Sequence, residues 1–181
     1  MPRFYTGAGD SGYTGIIGVP RMKKSDRLIE AIGAVDELNS AIGVALAHSD
    51  DAALNKRLKA LQNELFIVGA ELASSGAHGR PATKRIVAGD VKALENGIAK
   101  LSEALPELRS FVLPGGTDVA AHLHMARAIA RRAERTIVDA SEERTVGREL
   151  LSFMNRVSSF LFVAALYTNR KRGAKEDRPT Y

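Results

Sequence analysis

Apolar residues recur at helical spacing through most of this chain. Leu28, Ile29, Ile32, Val35, Leu38, Ile42 and Leu46 fall three or four residues apart, with Ser25 or Asp26 as the opening cap. After the Asp50-Asp51 break, Leu54, Leu58, Leu61, Leu65, Val68 and Leu72 predict a second helix. A third, shorter one covers about Gly89 to Ala104, with Val91, Leu94, Ile98 and Leu101 inward. The turn Leu113-Pro114-Gly115-Gly116-Thr117 interrupts the pattern, and Thr117 can cap a fourth helix that runs to about Ala140. A fifth is expected from about Glu143 to Arg172, with Leu150, Leu151, Met154, Val157, Leu161, Ala164 and Ala165 inward. No strand of confident length, repeat or low-complexity tract stands out. The expected fold is all-α: an up-and-down bundle of five helices, with largely antiparallel neighbours. Phe160-Leu161-Phe162-Val163 is apolar nearly all round. That suits a helix that is central or that faces another copy of the chain.

The pattern divides the chain into a glycine-rich N-terminal loop segment (1–25), the bundle (26–172) and a polar tail (173–181) expected to fray. Ser74 to Arg85 is the longest loop inside the bundle and a candidate for a mobile lid or a disordered crossing. Composition narrows the function. No cysteine is present, which rules out disulfides and thiolate metal sites. No signal-peptide core and no membrane-spanning run is recognised, so a cytoplasmic protein without membrane attachment is expected. The net charge of +5 suits phosphate-bearing ligands. Aromatics are only 6%, which argues against stacking on nucleic acid.

Several motifs fail on context. Gly7-Ala8-Gly9-Asp10-Ser11-Gly12 matches a dinucleotide fingerprint but lacks a strand before it and a helix after it. Gly7 to Thr14 nearly matches a P-loop, but Tyr13 stands where the lysine belongs. What survives is a loop whose glycines and hydroxyls could converge on phosphate, with Lys24 downstream. The four histidines do not follow the Glu-x-x-His pattern of a di-metal bundle, and each is expected to be a surface or satisfied structural residue. Arg127, Arg131 and Glu134 share one face of the fourth helix, with Arg135 at its margin. Like charges one turn apart repel unless an anion neutralises them; the bland alternative is a solvated basic face. Asn155 interrupts the fifth helix and should either hydrogen-bond inside the bundle or touch a ligand.

Taken together, Tyr5 to Thr14, Arg21 to Lys24, Glu30 to Asn39, the Leu113-to-Thr117 turn with its arginine helix, and Asn155 to Ser158 resemble the PduO-type ATP:corrinoid adenosyltransferases. The pieces occur in order across Tyr5 to Arg170. The resemblance implies a homotrimer with active sites between subunits. Its reaction would move the 5′-deoxyadenosyl group of ATP to the cobalt of cob(I)alamin or a related corrinoid and release triphosphate. It also implies roles. Thr6, Gly7, Ala8, Gly9, Thr14 and Gly15 would line the ATP phosphates, and Lys24 would neutralise them. Arg131, Arg132, Ala133, Glu134 and Arg135 would hold the nucleotide, with Asn155 reaching it from the last helix. Asp36 would pair with Arg127 across the interface, and Phe111 would face the lower side of the corrin. No protein metal site is assigned; Mg²⁺ is expected with the triphosphate. A reductase supplying electrons to cob(II)alamin and an adenosylcobalamin-dependent enzyme are the implied partners. Ser159 stands where the family often has Asp, and Ala88-Gly89-Asp90 replaces a more acidic helix start. The competing classes are a non-catalytic nucleotide- or corrinoid-binding bundle and a basic nucleic-acid-binding module.

Overall fold

A computed structural model describes residues 4–16, 21–75 and 82–181. Five helices follow the sequence pattern: α1 (Arg27–His48), α2 (Ala52–Ser74), α3 (Ala88–Ser102), α4 (Asp118–Ala140) and α5 (Arg148–Arg172). Three start where an oxygen-bearing side chain can accept from a free N–H. Asp26 accepts from Leu28, Asp51 from Ala53 and Leu54, and Thr117 from Ala120. A two-residue antiparallel pair, β1 (Tyr13–Thr14) with β2 (Met22–Lys23), closes the N-terminal segment. Too short to register as alternation, it follows from the turns around it.

Helix α1 packs on α2 and α4, and α5 on α4 and α3. Arg27 reaches Asp139 and Glu142 while Glu37 pairs with Arg132, so α1 and α4 run antiparallel. Asn39 and Gln62 exchange amide-to-carbonyl bonds of 3.3 and 3.1 Å and tie α1 to α2. Alanines form the α1–α4 seam: Ala31, Ala34 and Ala45 from α1 and Ala126, Ala130 and Ala133 from α4 are buried. Small side chains let the two backbones approach closely. Ile29, Ile32 and Leu46, expected inward, are only partly buried. All six apolar residues expected inward on α2 are buried.

Two expectations change. Helix α5 starts at Arg148, five residues late. The N–H groups of Ser141 to Arg144 bond back to carbonyls of α4, and Gly147 is extended at the new cap. The tail makes a backbone contact to the turn ahead of α4: Leu113 N–H donates to the Asp177 carbonyl at 2.8 Å. Among the described residues α5 is also long and apolar enough to cross a membrane, with a mean hydropathy of 1.4 over its most apolar window. Its burial against α3 and α4 accounts for that composition: Phe153, Met154, Val157, Phe160 and Leu161 are core. The expected lid at 74–85 falls partly outside the described residues.

One buried amide fixes the connection into α4. Asn169, fully buried on α5, accepts from the Thr117 N–H at 2.9 Å and donates to the Gly115 carbonyl at 3.0 Å. Gly116 between them has φ +101°, and a Cβ there would lie 2.2 Å from Asn169 Oδ1. Asn169→Ala should therefore lower stability by about 2–4 kcal/mol, since it orphans two backbone groups. Gly116→Ala should destabilise comparably, and the double variant should lose less than the sum of the two in urea melts, because the steric clash needs both side chains. Additive losses would show that the amide does not hold the turn.

Candidate functional site

The turn held by Asn169 places Phe111 at the edge of a cleft of about 540 Å³. Phe111 is 78% exposed, so it does not plug the bundle end. The cleft is lined by Phe111, Val112 and Pro114 from the turn, Leu108 and Ser110 before it, His124 and Arg127 from α4, and Phe162 from α5. The guanidinium of Arg127 lies 5.9 Å above the Phe162 ring, within cation–π reach. Its Nε is buried with no partner among the described residues. Burial, and then the nearby charge of Arg131, lower its affinity for a proton, although an arginine stays charged throughout the working range.

His124 departs from expectation. It is buried, and neither ring nitrogen has a partner among the described residues, so it is neither a surface nor a satisfied residue. Its ring meets Phe162 edge-on at 5.9 Å. Burial, followed by the charge of Arg127, holds its pKa below the ordinary value, with Glu176 of the tail acting the other way. His48 and His122 behave differently, with ring centres 4.5 Å apart between α1 and α4.

Along α4 the predicted charges split. Arg132 turns to α1 and pairs with Glu37, whose carboxyl is held below its usual pKa by that contact. Glu134 accepts from Asn155 at 2.8 Å. Asn155 in turn accepts from Arg156 at 2.7 Å, and Arg156 reaches Glu95 of α3 at 3.2 Å. Asn155 is exposed; the asparagine of α5 that is buried is Asn169. Arg135 donates to the Arg131 carbonyl at 3.1 Å. Among the described residues no carboxylate lies within ion-pair distance of Arg127, Arg131 or Arg135. Ala133 is buried in the α1–α4 seam and contributes backbone only.

The N-terminal segment forms a second concavity, of about 350 Å³. It is lined by Thr6, Ala8, Gly9, Tyr13, Thr14, Gly15 and Arg21. Gly7 and Gly12 have positive φ, at +71° and +80°, and produce successive turns in which Asp10 N–H bonds the Gly7 carbonyl and Gly12 N–H the Gly9 carbonyl. Lys24 crosses this loop: a Cβ on Gly9 would lie 3.1 Å from its Nζ. Arg21 bonds the carbonyls of Ala8 and Tyr13. Sequence reasoning assigned it no role, although a guanidinium among glycines was a usable signal. Thr14 and Gly15 continue onto a cleft over α1 and α2 that also contains Asp36 and the 70%-exposed Phe66.

Phe111 and Arg127 therefore share one cleft, and the glycine loop and Arg21 share another, with Lys24 crossing the loop. Among the described residues these two concavities have no lining residue in common. Asp36 lines the α1–α2 side and Arg127 the cleft of Phe111.

A pH dependence follows from His124. Its folded pKa is lowered, so the unfolded chain takes up the proton first, below about 6.5, and stability falls with pH from there down to the folded value. Thermal melts between about pH 7 and 5 should show a decline that is shallower in His124→Leu. Parallel curves would mean that the histidine is protonated equally in both states.

Comparison with known proteins gives a consistent result. A family model described as cobalamin adenosyltransferase matches residues 4–168. The chain is 39% identical over 165 residues to a corrinoid adenosyltransferase of Citrobacter freundii, covering 91% of this chain and 94% of the relative. It is 35% identical over 181 residues to the corrinoid adenosyltransferase MMAB of Homo sapiens, covering 97% and 72%. It spans only 48% of the corrinoid adenosyltransferase PduO of Citrobacter freundii, at 37% identity and with 89% of this chain covered. Among solved structures, a phenylalanine-to-alanine variant of a PduO-type ATP:corrinoid adenosyltransferase from Lactobacillus reuteri, complexed with cobalamin and ATP, matches with a TM-score of 0.92. That match is 34% identical and covers 99% of this chain and 100% of the other.

Proposed function

The chain belongs to the cobalamin adenosyltransferase family, and from that premise we propose how its side chains divide the family's reaction. That reaction transfers the 5′-deoxyadenosyl group of ATP to the cobalt of cob(I)alamin or a related corrinoid. The cobalt(I) electron pair attacks the 5′ carbon and becomes the cobalt–carbon bond, while the carbon–oxygen bond breaks and triphosphate leaves with the electrons of that bond. No proton moves, so no catalytic base is required. The protein's part is positioning, exclusion of water and stabilisation of the leaving group.

The observation that carries the assignment is the cleft in which an exposed aromatic, Phe111, stands beside Arg127 and Phe162. We assign the corrin to this cleft, with Phe111 keeping an axial ligand off the lower face of cobalt. Removing that ligand lowers the orbital that must accept an electron, which eases reduction of Co(II) to the nucleophilic Co(I). Thr6, Gly7, Ala8, Gly9, Thr14, Gly15 and Lys24 take the triphosphate, and Arg131, Glu134, Arg135 and Asn155 the rest of the nucleotide. Mg²⁺ comes with the phosphates. Among the described residues no three His, Cys, Asp or Glu side chains cluster to hold an ion, and Mg²⁺ is readily satisfied by phosphate oxygens and water.

The separation of the two residue sets supports a site built between subunits of a homotrimer, with Asp36 of one chain facing Arg127 of the next. The same reading includes a cytoplasmic location, a reductase for cob(II)alamin and an adenosylcobalamin-dependent enzyme as recipient of the product.

Anaerobic incubation with cob(I)alamin and ATP should yield adenosylcobalamin and triphosphate in equal amounts; no carbon–cobalt bond would overturn the assignment. Phe111→Ala should react poorly from cob(II)alamin with a mild reductant and do relatively better with pre-formed cob(I)alamin. Equal loss in the two assays would leave Phe111 with no part in the reduction.

A further inference from the structure

The reaction assigned above gives no task to His124, yet this residue has the least accountable environment in the cleft. It is 3% exposed, and neither Nδ1 nor Nε2 finds a partner among the described residues. A buried polar group in that condition costs free energy, and natural cores hold few of them. His124 also lines the cleft shared by Phe111, Arg127 and Phe162, one turn before Arg127 on α4. Both ring nitrogens are covered in the ligand-free chain, so engaging a ligand requires the imidazole to turn toward the cleft beside the edge-on Phe162 ring.

We infer that His124 is a positioning residue for the corrin, its neutral imidazole hydrogen-bonding a primary amide on the rim of the macrocycle. The inference rests on the assignment of the corrin to this cleft. A neutral imidazole carries a donor on one nitrogen and an acceptor on the other, pointing in different directions, so one of them meets the amide, as donor to its oxygen or as acceptor from its N–H. The protonated ring would offer two donors and no acceptor beside the guanidinium of Arg127, a poorer match to both. The charged groups that act on the ring are Arg127 of α4 and Glu176 of the tail; α5 presents the aromatic edge of Phe162. A hydrogen bond at the rim would fix the rotation of the corrin over Phe111 without touching cobalt.

The full-length protein, His124→Leu and His124→Asn should be compared by spectroscopic titration with cob(II)alamin in the presence of ATP, by ATP titration and by thermal melting. His124→Leu should weaken cob(II)alamin binding about tenfold or more. ATP affinity should stay within about twofold and the melting temperature should be unchanged or higher, because the substitution removes an unpaired buried group. His124→Asn keeps a donor and an acceptor and should recover much of the corrinoid affinity. Unchanged cob(II)alamin binding in His124→Leu would overturn the inference. So would a joint loss of corrinoid affinity, ATP affinity and melting temperature, which would mark the histidine as a packing residue. If the wild type binds no cob(II)alamin, the assignment of the cleft itself fails, and the inference with it.

Discussion

Arg127, Arg131 and Arg135 follow one another a turn apart along α4, and among the described residues none has a carboxylate within ion-pair distance. Such a row repels itself, and the fold must tolerate that repulsion until an anion arrives. Much of the molecule is consistent with this constraint. Arg132, which points the other way, is paired with Glu37. Glu134 accepts a hydrogen bond from Asn155. Arg127 is partly buried under cation–π contact with Phe162, where solvent screens its charge least. A bound nucleotide and a carboxylate from another chain would satisfy this arrangement, and the glycine loop suited to phosphate lines a different concavity of the same chain. An assembly that joins the two faces resolves both features at once.

The helices were legible because each rests on a local rule. Asp26, Asp51 and Thr117 cap where short oxygen-bearing side chains precede an apolar period, and α2 buries the leucines its spacing indicates. What escaped depends on tertiary context. Two asparagines interrupt α5, and only the packing distinguishes them: Asn155 faces outward to Glu134, while Asn169 is sealed inside and holds the turn ahead of α4. The delayed start of α5 reflects backbone bonds that favour closing α4, which helical periodicity does not register. The backbone bond between the tail and Leu113 is invisible in a polar C-terminal composition.

At the site, the residue types were legible and their grouping was not. Phe111 and Arg127 were singled out separately, and only folding places them in one cleft with Phe162. His124 was read as unremarkable because a lone histidine on a helix usually is; its significance comes from the lack of a partner, which requires the neighbours to be known. Arg21 was overlooked because its bonds go to loop carbonyls that exist only once Gly7 and Gly12 have turned the chain.

The central claim is that one chain carries two half-sites and that catalysis needs both from different chains. Subunit mixing tests it directly. One variant would carry Lys24→Ala with Thr6→Ala in the loop, the other Arg127→Ala with Arg131→Ala on α4, each of low activity alone. Co-expressed at equal levels, they should form mixed assemblies in which roughly a quarter of the sites pair an intact loop with an intact arginine row, with activity rising accordingly. If the mixture is no more active than the variants apart while mixed assemblies are confirmed by mass spectrometry, each chain works alone and the shared-site account is contradicted.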